Sequence, residues 1–359
     1  MGELNKTSLY ESHLALDAKM VDFAEYLMPI HYSNGIQHEY LSVRNDVGLF
    51  DVSHMGVFKV SGPNCDNFLN YILSNNIKKL PNGRAMYTLL CNTKGGVIDD
   101  LIVYRLNNEF ILIVNASNKK EDLEWIKNNN SKEEIQVHDI SNSNSLIAIQ
   151  GPNSKDKIEQ LLNINLDMDF YSCMETKYSD ENIFIARTGY TGELGFEILG
   201  NSNIINGIWD QMISNGISPI GLAVRDILRI EMGYCLYGHE IDTNINPLDA
   251  GLSWIIDNKS NFIGSKEIQN INNQRNKLIF FKTLERGIPR EGFDIFIGEE
   301  KVGLVTSGTF SYLMGCGLGI GFIKRNIEKY NDASLSIRDK KISIEISTKP
   351  LMSNTSLRK

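Results

Sequence analysis

The chain has 359 residues, with 42% hydrophobic residues, 22% charged residues and a formal net charge of −8. At about 150 residues per domain, this length predicts two or three domains with enough apolar material for a real core. The acidic balance excludes a general nucleic-acid binder, which needs a basic face, but one or two local cations are enough to hold a small anion.

The five cysteines are scattered and include no CxxC pair, so we expect reduced thiols and neither a disulfide framework nor a zinc site. No apolar run approaches the roughly 18 residues that a membrane helix needs. Residues 1–10 show neither a signal-peptide core nor an Arg-rich transit pattern. These observations predict a cytoplasmic protein of the bacterial type, with no metal and no nucleic-acid or membrane partner.

Two segments share the pattern of a strand, a Gly-Pro-Asn turn and a helix. They are Lys59–Asn64 and Ala148–Asn153, each followed by apolar residues at helical spacing. Proline suits the first turn of a helix, because its φ is already fixed and its missing N–H is not needed there. The repeat favours two related α+β units, although turn chemistry alone could produce the same pattern.

Two adjacent aspartates lie in a predicted strand. Gly95–Tyr104 is typical of a Gly-Gly turn followed by a strand, and Asn107-Asn108 turn the chain toward a second strand, Phe110–Val114. Asp99 and Asp100 point to opposite faces, and both faces are otherwise apolar. We therefore expect at least one buried carboxyl group, which has to be paired, hydrogen-bonded or neutral. The alternative is that both lie at a frayed strand start and accept turn N–H groups.

Arg187–Glu197 carries a glycine at every third position, which lets the backbone turn tightly and approach a ligand closely. Glu197 then opens a strand, where its carboxylate could accept two N–H groups of a flat heterocycle, with Tyr190 and Phe196 near enough to stack. The same pattern also fits a glycine-rich hairpin with a solvated glutamate.

Two helices are predicted next, over 205–213 and over Gly221–Met232. On the second helix, Arg225 and Arg229 share a face, and they either present cations to an anionic ligand or remain solvated. An Asn-rich linker over 269–277 leads to short apolar runs that predict a small antiparallel barrel or sandwich. These runs are Leu278–Lys282, Phe293–Ile297, Lys301–Thr306, Gly317–Phe322, Ser334–Ile337 and Ile342–Ile346.

Taken together, the motifs resemble the glycine cleavage T-protein family, in order and over nearly the whole chain. The matching segments are Met20–Phe23, Gly48–Met55, Gly95–Leu101, Arg187–Glu197, Arg225-Asp226 with Arg229, Leu236–Glu240, Asn246-Pro247 with Gly251–Trp254, and Thr306–Gly308. The resemblance implies an α+β fold with three domains arranged like a clover leaf around a folate channel. Residues 8–265 would form the folate-binding region of two intertwined α+β subdomains, and residues 277–351 a C-terminal antiparallel β-barrel.

The same resemblance implies an aminomethyltransferase that works with the lipoylated H-protein. It would pass the methylene of the aminomethyl-lipoyl group to tetrahydrofolate, giving 5,10-methylenetetrahydrofolate and ammonia. Asp100 matches the family's key acid, which holds and activates the attacking folate nitrogen. Glu197 would bind the pterin edge, and Arg225 would contact the folate or an anionic group near it. The remaining implied site residues are Met55, Tyr87, Tyr104, Asn115, Tyr190, Tyr234, Trp254 and, in the tail, Arg358.

Two alternatives keep a folate-binding fold. One is a related tetrahydrofolate-dependent demethylase, which the complete GGVIDD and DVSHM motifs disfavour. The other is a non-enzymatic folate-binding maintenance protein with a Lys-Gly-Cys motif, but Cys235 is displaced from that pattern and the lysine is absent. The fold alone does not separate these functions, because function depends on the site.

Overall fold

The structure is a computed structural model that describes residues 4–107, 109–131, 134–270, 272, 274–337 and 340–357. The predicted turn residue Asn108 and the predicted tail residue Arg358 lie outside these ranges. The helices are α1 (Tyr10–Ala15), α2 (Ile36–Asn45), α3 (Cys65–Ile72), α4 (Lys119–Asn128), α5 (Ser154–Leu162), α6 (Ser202–Ser214), α7 (Leu222–Met232) and α8 (Ser265–Gln269).

The strands group into four sheets. Those before the barrel are β1 (Asn5–Lys6), β2 (Lys19–Phe23), β3 (Tyr26–His31), β4 (Gly48–Asp51), β5 (Gly56–Ser61), β6 (Ala85–Cys91), β7 (Val97–Leu106), β8 (Glu109–Val114), β9 (Gln136–Asp139), β10 (Asn144–Gln150), β11 (Cys173–Tyr178), β12 (Glu181–Ala186), β13 (Gly195–Asn201) and β14 (Ser218–Ile220). They form a small sheet β1-β3-β2, an antiparallel sheet β6-β7-β8-β5-β9 and a mixed sheet β11-β12-β13-β10-β4-β14.

The two large sheets pack against each other and carry helices on their outer faces. One apolar cluster joins them, with Ile111 and Tyr104 from the antiparallel sheet and Ala148 and Leu199 from the mixed sheet. Helices α3 and α4 cover the other face of the antiparallel sheet, and α5 and α6 cover that of the mixed sheet. Because side chains alternate along a strand, each central strand has one face toward the helices and one toward the opposite sheet.

The two Gly-Pro-Asn segments have the same local structure. Both α3 and α5 follow a strand and a turn, but they begin two residues after the prolines, so the prediction of proline in the first helical turn is wrong. The turns instead depend on Gly62 and Gly151, at φ +118° and +140°, where an added Cβ would lie 2.2 Å from a main-chain carbonyl oxygen. This shared detail supports the predicted relation between the two units.

The C-terminal region is a closed barrel in the order β15-β18-β17-β16-β19-β20, with every neighbouring pair antiparallel. Its strands are β15 (Asn276–Thr283), β16 (Asp294–Ile297), β17 (Glu300–Ser311), β18 (Cys316–Lys324), β19 (Ala333–Ile337) and β20 (Lys340–Ser347). All six predicted runs form strands. Register shifts in β16 and β17 bend the sheet, as closure into a barrel requires.

Candidate active site

Asp100 lies on β7 and faces the space between the two large sheets, where it is half-buried. Its carboxylate accepts a hydrogen bond of 2.8 Å from the Tyr87 hydroxyl and one of 2.7 Å from the Asn115 side-chain amide. Burial and the neighbouring charge of Asp99 raise the pKa of Asp100 to about 7, against the effect of these two hydrogen bonds. Asp100 can therefore hold or release a proton near neutral pH.

Asp99 points to the helix-covered face of the same sheet and is fully buried. Its carboxylate accepts the Asn115 main-chain N–H at 2.9 Å, the Asn115 amide at 2.8 Å and the Asn118 amide at 2.7 Å. The burial of Asp99 agrees with the prediction that at least one of the two aspartates lies in a low-dielectric environment. The alternative of a frayed strand start is wrong, because β7 pairs with β6 from Val97 onward.

Glu197 and Tyr104 meet across the two sheets. The Tyr104 hydroxyl donates to Glu197 Oε2 at 3.3 Å and lies 3.0 Å from the Thr188 hydroxyl, which also donates to Glu197 Oε2. Desolvation by burial raises the pKa of Tyr104, so its hydroxyl stays protonated. Among the residues that the structure describes, no donor reaches the other carboxylate oxygen, Glu197 Oε1, which leaves it able to accept a ligand N–H group.

Arg225 lies at one end of an aromatic stack. Its guanidinium group is 4.6 Å from the centroid of the Tyr190 ring, and Tyr190 stacks on Tyr234 with 5.5 Å between ring centroids. The Tyr190 hydroxyl donates to the Cys235 carbonyl, which holds the ring in place. Desolvation by burial lowers the pKa of Arg225, and no carboxylate of the described residues forms an ion pair with it. Such a cation is suited to an anionic ligand.

Trp254 lies at the solvent side of Tyr87. The two rings stack with 5.8 Å between centroids and an angle of 26°, and 67% of Trp254 is exposed. The Tyr87 hydroxyl in turn donates to Asp100, so the Tyr87 side chain alone connects the exposed Trp254 ring to the Asp100 carboxyl group. Trp254 therefore places an exposed aromatic ring close to Asp100.

Met55 packs half-buried on the apolar cluster between the sheets, and Tyr171 packs on the same cluster. Tyr171 and Cys235 both lie in the electrostatic field of Asp100, and the sequence analysis did not name either of them as a site residue. The structure brings the predicted site residues together in three groups: Asp100 with Tyr87, Asn115 and Trp254, Glu197 with Tyr104, and Arg225 with Tyr190 and Tyr234. Electrostatic interactions of Arg225 with Asp100 and Glu197 connect the three groups. Their roles in binding and catalysis stay predictions.

Comparison with known proteins identifies the family. The family model described as the GCVT N-terminal domain matches residues 9–260, and the one described as the Glycine cleavage T-protein C-terminal barrel domain matches residues 276–352. The chain belongs to the glycine cleavage T-protein family. The predicted domain limits, 8–265 and 277–351, stay predictions beside these matches.

Relatives that align with nearly the whole chain are named aminomethyltransferases, as expected for the T-protein family. An aminomethyltransferase from Bacteroides fragilis is 40% identical, over 97% of this chain and 99% of the relative. Another, from Thermotoga neapolitana, is 36% identical over 97% of each chain. The crystal structure of glycine cleavage system aminomethyltransferase T from Bartonella henselae has a TM-score of 0.89 at 32% identity and covers 95% of this chain and 96% of that chain. The predicted family, α+β fold with a C-terminal barrel, and aminomethyltransferase function are confirmed.

The glycines of the T-protein motif Arg187–Glu197 are required by internal packing. A Cβ added to Gly189 would lie 2.0 Å from the side chain of Gln150, and one added to Gly192, at φ +79°, would lie 2.3 Å from Met232 Sδ. The glycines therefore allow a close approach of the protein's own side chains, and the expected close approach to a ligand stays a prediction. This packing fixes the loop that carries Tyr190 and leads into β13.

Two further expectations from the T-protein motifs are wrong. Phe196 is only 1% exposed, because it points to the helix-covered face of β13 and away from Glu197. Arg229 is 2% exposed and neither solvated nor available to a ligand. Its guanidinium group binds Glu240 at 3.0 Å and Ser307 of the barrel at 2.7 Å, and so ties α7 to the barrel.

A buried polar network connects the T-protein motif to the tail. Arg44 on α2 binds Glu193 of the glycine-rich loop at 2.7 Å and also pairs with Glu231 on α7. The Ser356 main-chain N–H donates to Glu193 Oε2 at 2.8 Å, and the Ser356 hydroxyl donates to the same oxygen. Two helices and the tail therefore meet at the loop that positions Tyr190.

Within the described residues, no group of three or more His, Cys, Asp or Glu side chains is arranged to hold a metal ion. No helix in that part of the chain is long and apolar enough to cross a membrane. The expected absence of a metal and of nucleic-acid and membrane partners, and the cytoplasmic location, stay predictions.

Proposed function

We propose that the chain transfers the methylene of the aminomethyl group on the lipoyl arm of the H-protein to tetrahydrofolate, with Asp100 as the acid–base group. The observation that carries this proposal is the setting of Asp100. Its carboxyl group is held by Tyr87 and Asn115, has a pKa raised to about 7 and lies near the further aromatic side chains of Tyr171 and Tyr190. General acid–base catalysis is most effective when the pKa of the group lies near the operating pH.

The side chains grouped around Asp100, Glu197 and Arg225 suit a flat ligand with an anionic end, such as tetrahydrofolate. Glu197 Oε1 can accept N–H groups from the edge of the pterin, and Tyr190 and Tyr234 offer aromatic side chains against which rings pack. Arg225 offers a half-buried guanidinium group without an ion-pair partner among the described residues, which suits a carboxylate of the folate or another anionic group near it.

The proposed transfer moves one methylene between pairs of atoms without any change in oxidation state. N5 and N10 of tetrahydrofolate each form a bond to the methylene carbon and each lose a proton. The bonds from that carbon to the amino nitrogen and to the lipoyl sulfur break, and ammonia and the lipoyl thiol take up the two protons. Asp100 can accept a proton from an attacking nitrogen and return it to a leaving group, because both of its protonation states are populated near pH 7.

The lipoyl arm has to reach Asp100 from solvent. The exposed Trp254, stacked on the Tyr87 ring that donates to Asp100, supports an approach from this side. An aromatic ring that is apolar and accessible suits the aliphatic part of the arm.

The test is a reconstituted reaction. The purified chain is combined with glycine, tetrahydrofolate and the other three glycine cleavage proteins, and formation of 5,10-methylenetetrahydrofolate is followed. Asp100→Asn should reduce the rate by about 10²- to 10⁴-fold, the usual contribution of a positioned acid or base. Asp210→Asn, an exposed aspartate on α6, is the matched control and should keep the wild-type rate.

Product that depends on both folate and the chain, and that is lost in Asp100→Asn only, supports the proposal. If no product forms while tetrahydrofolate still binds, the proposed transfer is wrong and a demethylase or a non-enzymatic folate-binding protein becomes the better explanation.

A further inference from the structure

A third aspartate lies on the helix-covered face of the antiparallel sheet, the face to which Asp99 points and from which Asp100 points away. Asp122 belongs to the first half of α4, which packs on the same face of the sheet to which Asp99 points. Its side chain is fully buried, and neither carboxyl oxygen receives a hydrogen bond from an N–H or O–H group of the described residues. Its hydrogen-bonding neighbour is the carboxyl group of Asp99.

Two carboxyl groups in contact inside a protein cannot both be ionised, so they share a proton. The surroundings of the two groups decide where that proton lies. Asp99 accepts three N–H groups from Asn115 and Asn118, which stabilise its ionised form. Asp122 has no such donor, and the negative charge of Glu121 on the same helix also disfavours ionisation of Asp122. The protonated form therefore belongs to Asp122.

We propose that Asp122 is a neutral carboxylic acid whose hydroxyl group donates to Asp99, and that it acts as a positioning residue by holding Asp99 as an anion directly behind Asp100. This role rests on the proposed function of Asp100. It places a proton and a negative charge in fixed positions on the helix-covered face of the sheet, behind the strand that carries Asp100. Burial and the neighbouring carboxylate keep the pKa of Asp122 far above its ordinary value, at about 11, so the proton remains in place over the working pH range.

Asn115 joins the two halves of this arrangement. Its side-chain amide donates to Asp99 at 2.8 Å and to Asp100 at 2.7 Å, so a fixed Asp99 also fixes the orientation of the amide at the catalytic carboxyl group. The negative charge of Asp99 is one of the two largest causes of the raised pKa of Asp100. Other titratable groups act on the three aspartates as well. They are Tyr87, Tyr171, Tyr190, Cys235 and Arg225 around Asp100, and Glu121 and Tyr237 around Asp122.

The first test does not use activity. Infrared spectra of the full chain labelled with ¹³C-aspartate are recorded at pH 9, where Asp100 is ionised and Asp122 retains its proton. Wild type should show the C=O band of a protonated carboxylic acid, and Asp122→Asn should lack it. Glu121→Gln, one residue earlier on the exposed side of α4, should keep the band. The proposal would be overturned if the wild-type spectrum lacked the protonated-acid band, or if the band persisted in Asp122→Asn.

The second test is the pH profile of methylene transfer. Asp122→Asn replaces the neutral carboxylic acid with a neutral amide that can still donate to Asp99. The pH profile of this variant should therefore superpose on that of wild type. Asp99→Asn removes the charge beside Asp100, so its profile should move to lower pH by about one unit. A similar shift in Asp122→Asn would show that Asp122 is ionised in the wild type and would refute the proposal. Because the infrared test needs no turnover, a failure of the proposed function remains distinguishable from a failure of this assignment.

Discussion

The raised pKa of Asp100 predicts that this residue destabilises the folded protein above acidic pH. In the unfolded chain the carboxyl group has its ordinary pKa of 3.8, and folding raises this to about 7. Between these values the folded protein binds more protons than the unfolded chain, so the free energy of unfolding falls as the pH rises and levels off above pH 7. About three pKa units correspond to about 4 kcal/mol, of which about 2 kcal/mol is lost between pH 5 and pH 7.

Asp100→Asn removes this penalty, because its amide is neutral at every pH and its oxygen can still accept the Tyr87 hydrogen bond. We expect the stability advantage of Asp100→Asn over wild type to grow by about 3 kcal/mol from pH 5 to pH 8. The assay is urea unfolding followed by circular dichroism at both pH values, with the exposed Asp210→Asn as the control that follows wild type. An advantage that is equal at pH 5 and pH 8 would refute the raised pKa and, with it, the acid–base role near neutral pH.

Three further predictions concern residues around the site. Arg225→Gln should weaken tetrahydrofolate binding about tenfold or more, since a hydrogen bond to a charged group contributes about 1.5–3 kcal/mol; calorimetric titration that gives an unchanged Kd would contradict this. Trp254→Ala should lower kcat/KM for the aminomethylated H-protein several-fold, while the thermal midpoint stays the same because the ring is 67% exposed. Arg229→Met should destabilise the protein by about 3–5 kcal/mol in urea unfolding, because it leaves the buried Glu240 without its cation; a wild-type midpoint would count against the tie between α7 and the barrel.

Periodic elements could be predicted from the sequence because their signals are local. The helix over Gly221–Met232 is observed as α7, with Gly221 and Gly233 as its caps, and each predicted apolar run of the barrel is a strand. The setting of Asp99 and Asp100 followed from the same kind of reasoning, since both faces of the strand were apolar. Period two also separates Phe196 from Glu197, so the error about Phe196 was avoidable.

Contacts between distant segments could not be predicted in this way. Arg225 and Arg229 have the spacing of any two residues on one helix face, so the sequence does not distinguish them. In the structure Arg229 binds Glu240 and Ser307 of the barrel, whereas Arg225 contacts neither. Tyr171 lies outside any periodic element, at φ +59°, and carries no signal for its place beside Asp100. Asp122 looks like an ordinary polar position of an amphipathic helix, and only the packing of α4 turns it inward.

The attachment of the tail to the glycine-rich loop has a practical consequence for handling the protein. Ser356 is 3% exposed and holds Glu193, which Arg44 contacts from the other side. A deletion from residue 354 onward would remove Ser356 and disturb the loop that carries Tyr190, and a purification tag or reporter fused after residue 357 would begin two residues from this buried contact. Enzyme assays are therefore best done on protein whose tag has been placed elsewhere, for example in an exposed turn such as the one at Gly298 of the barrel.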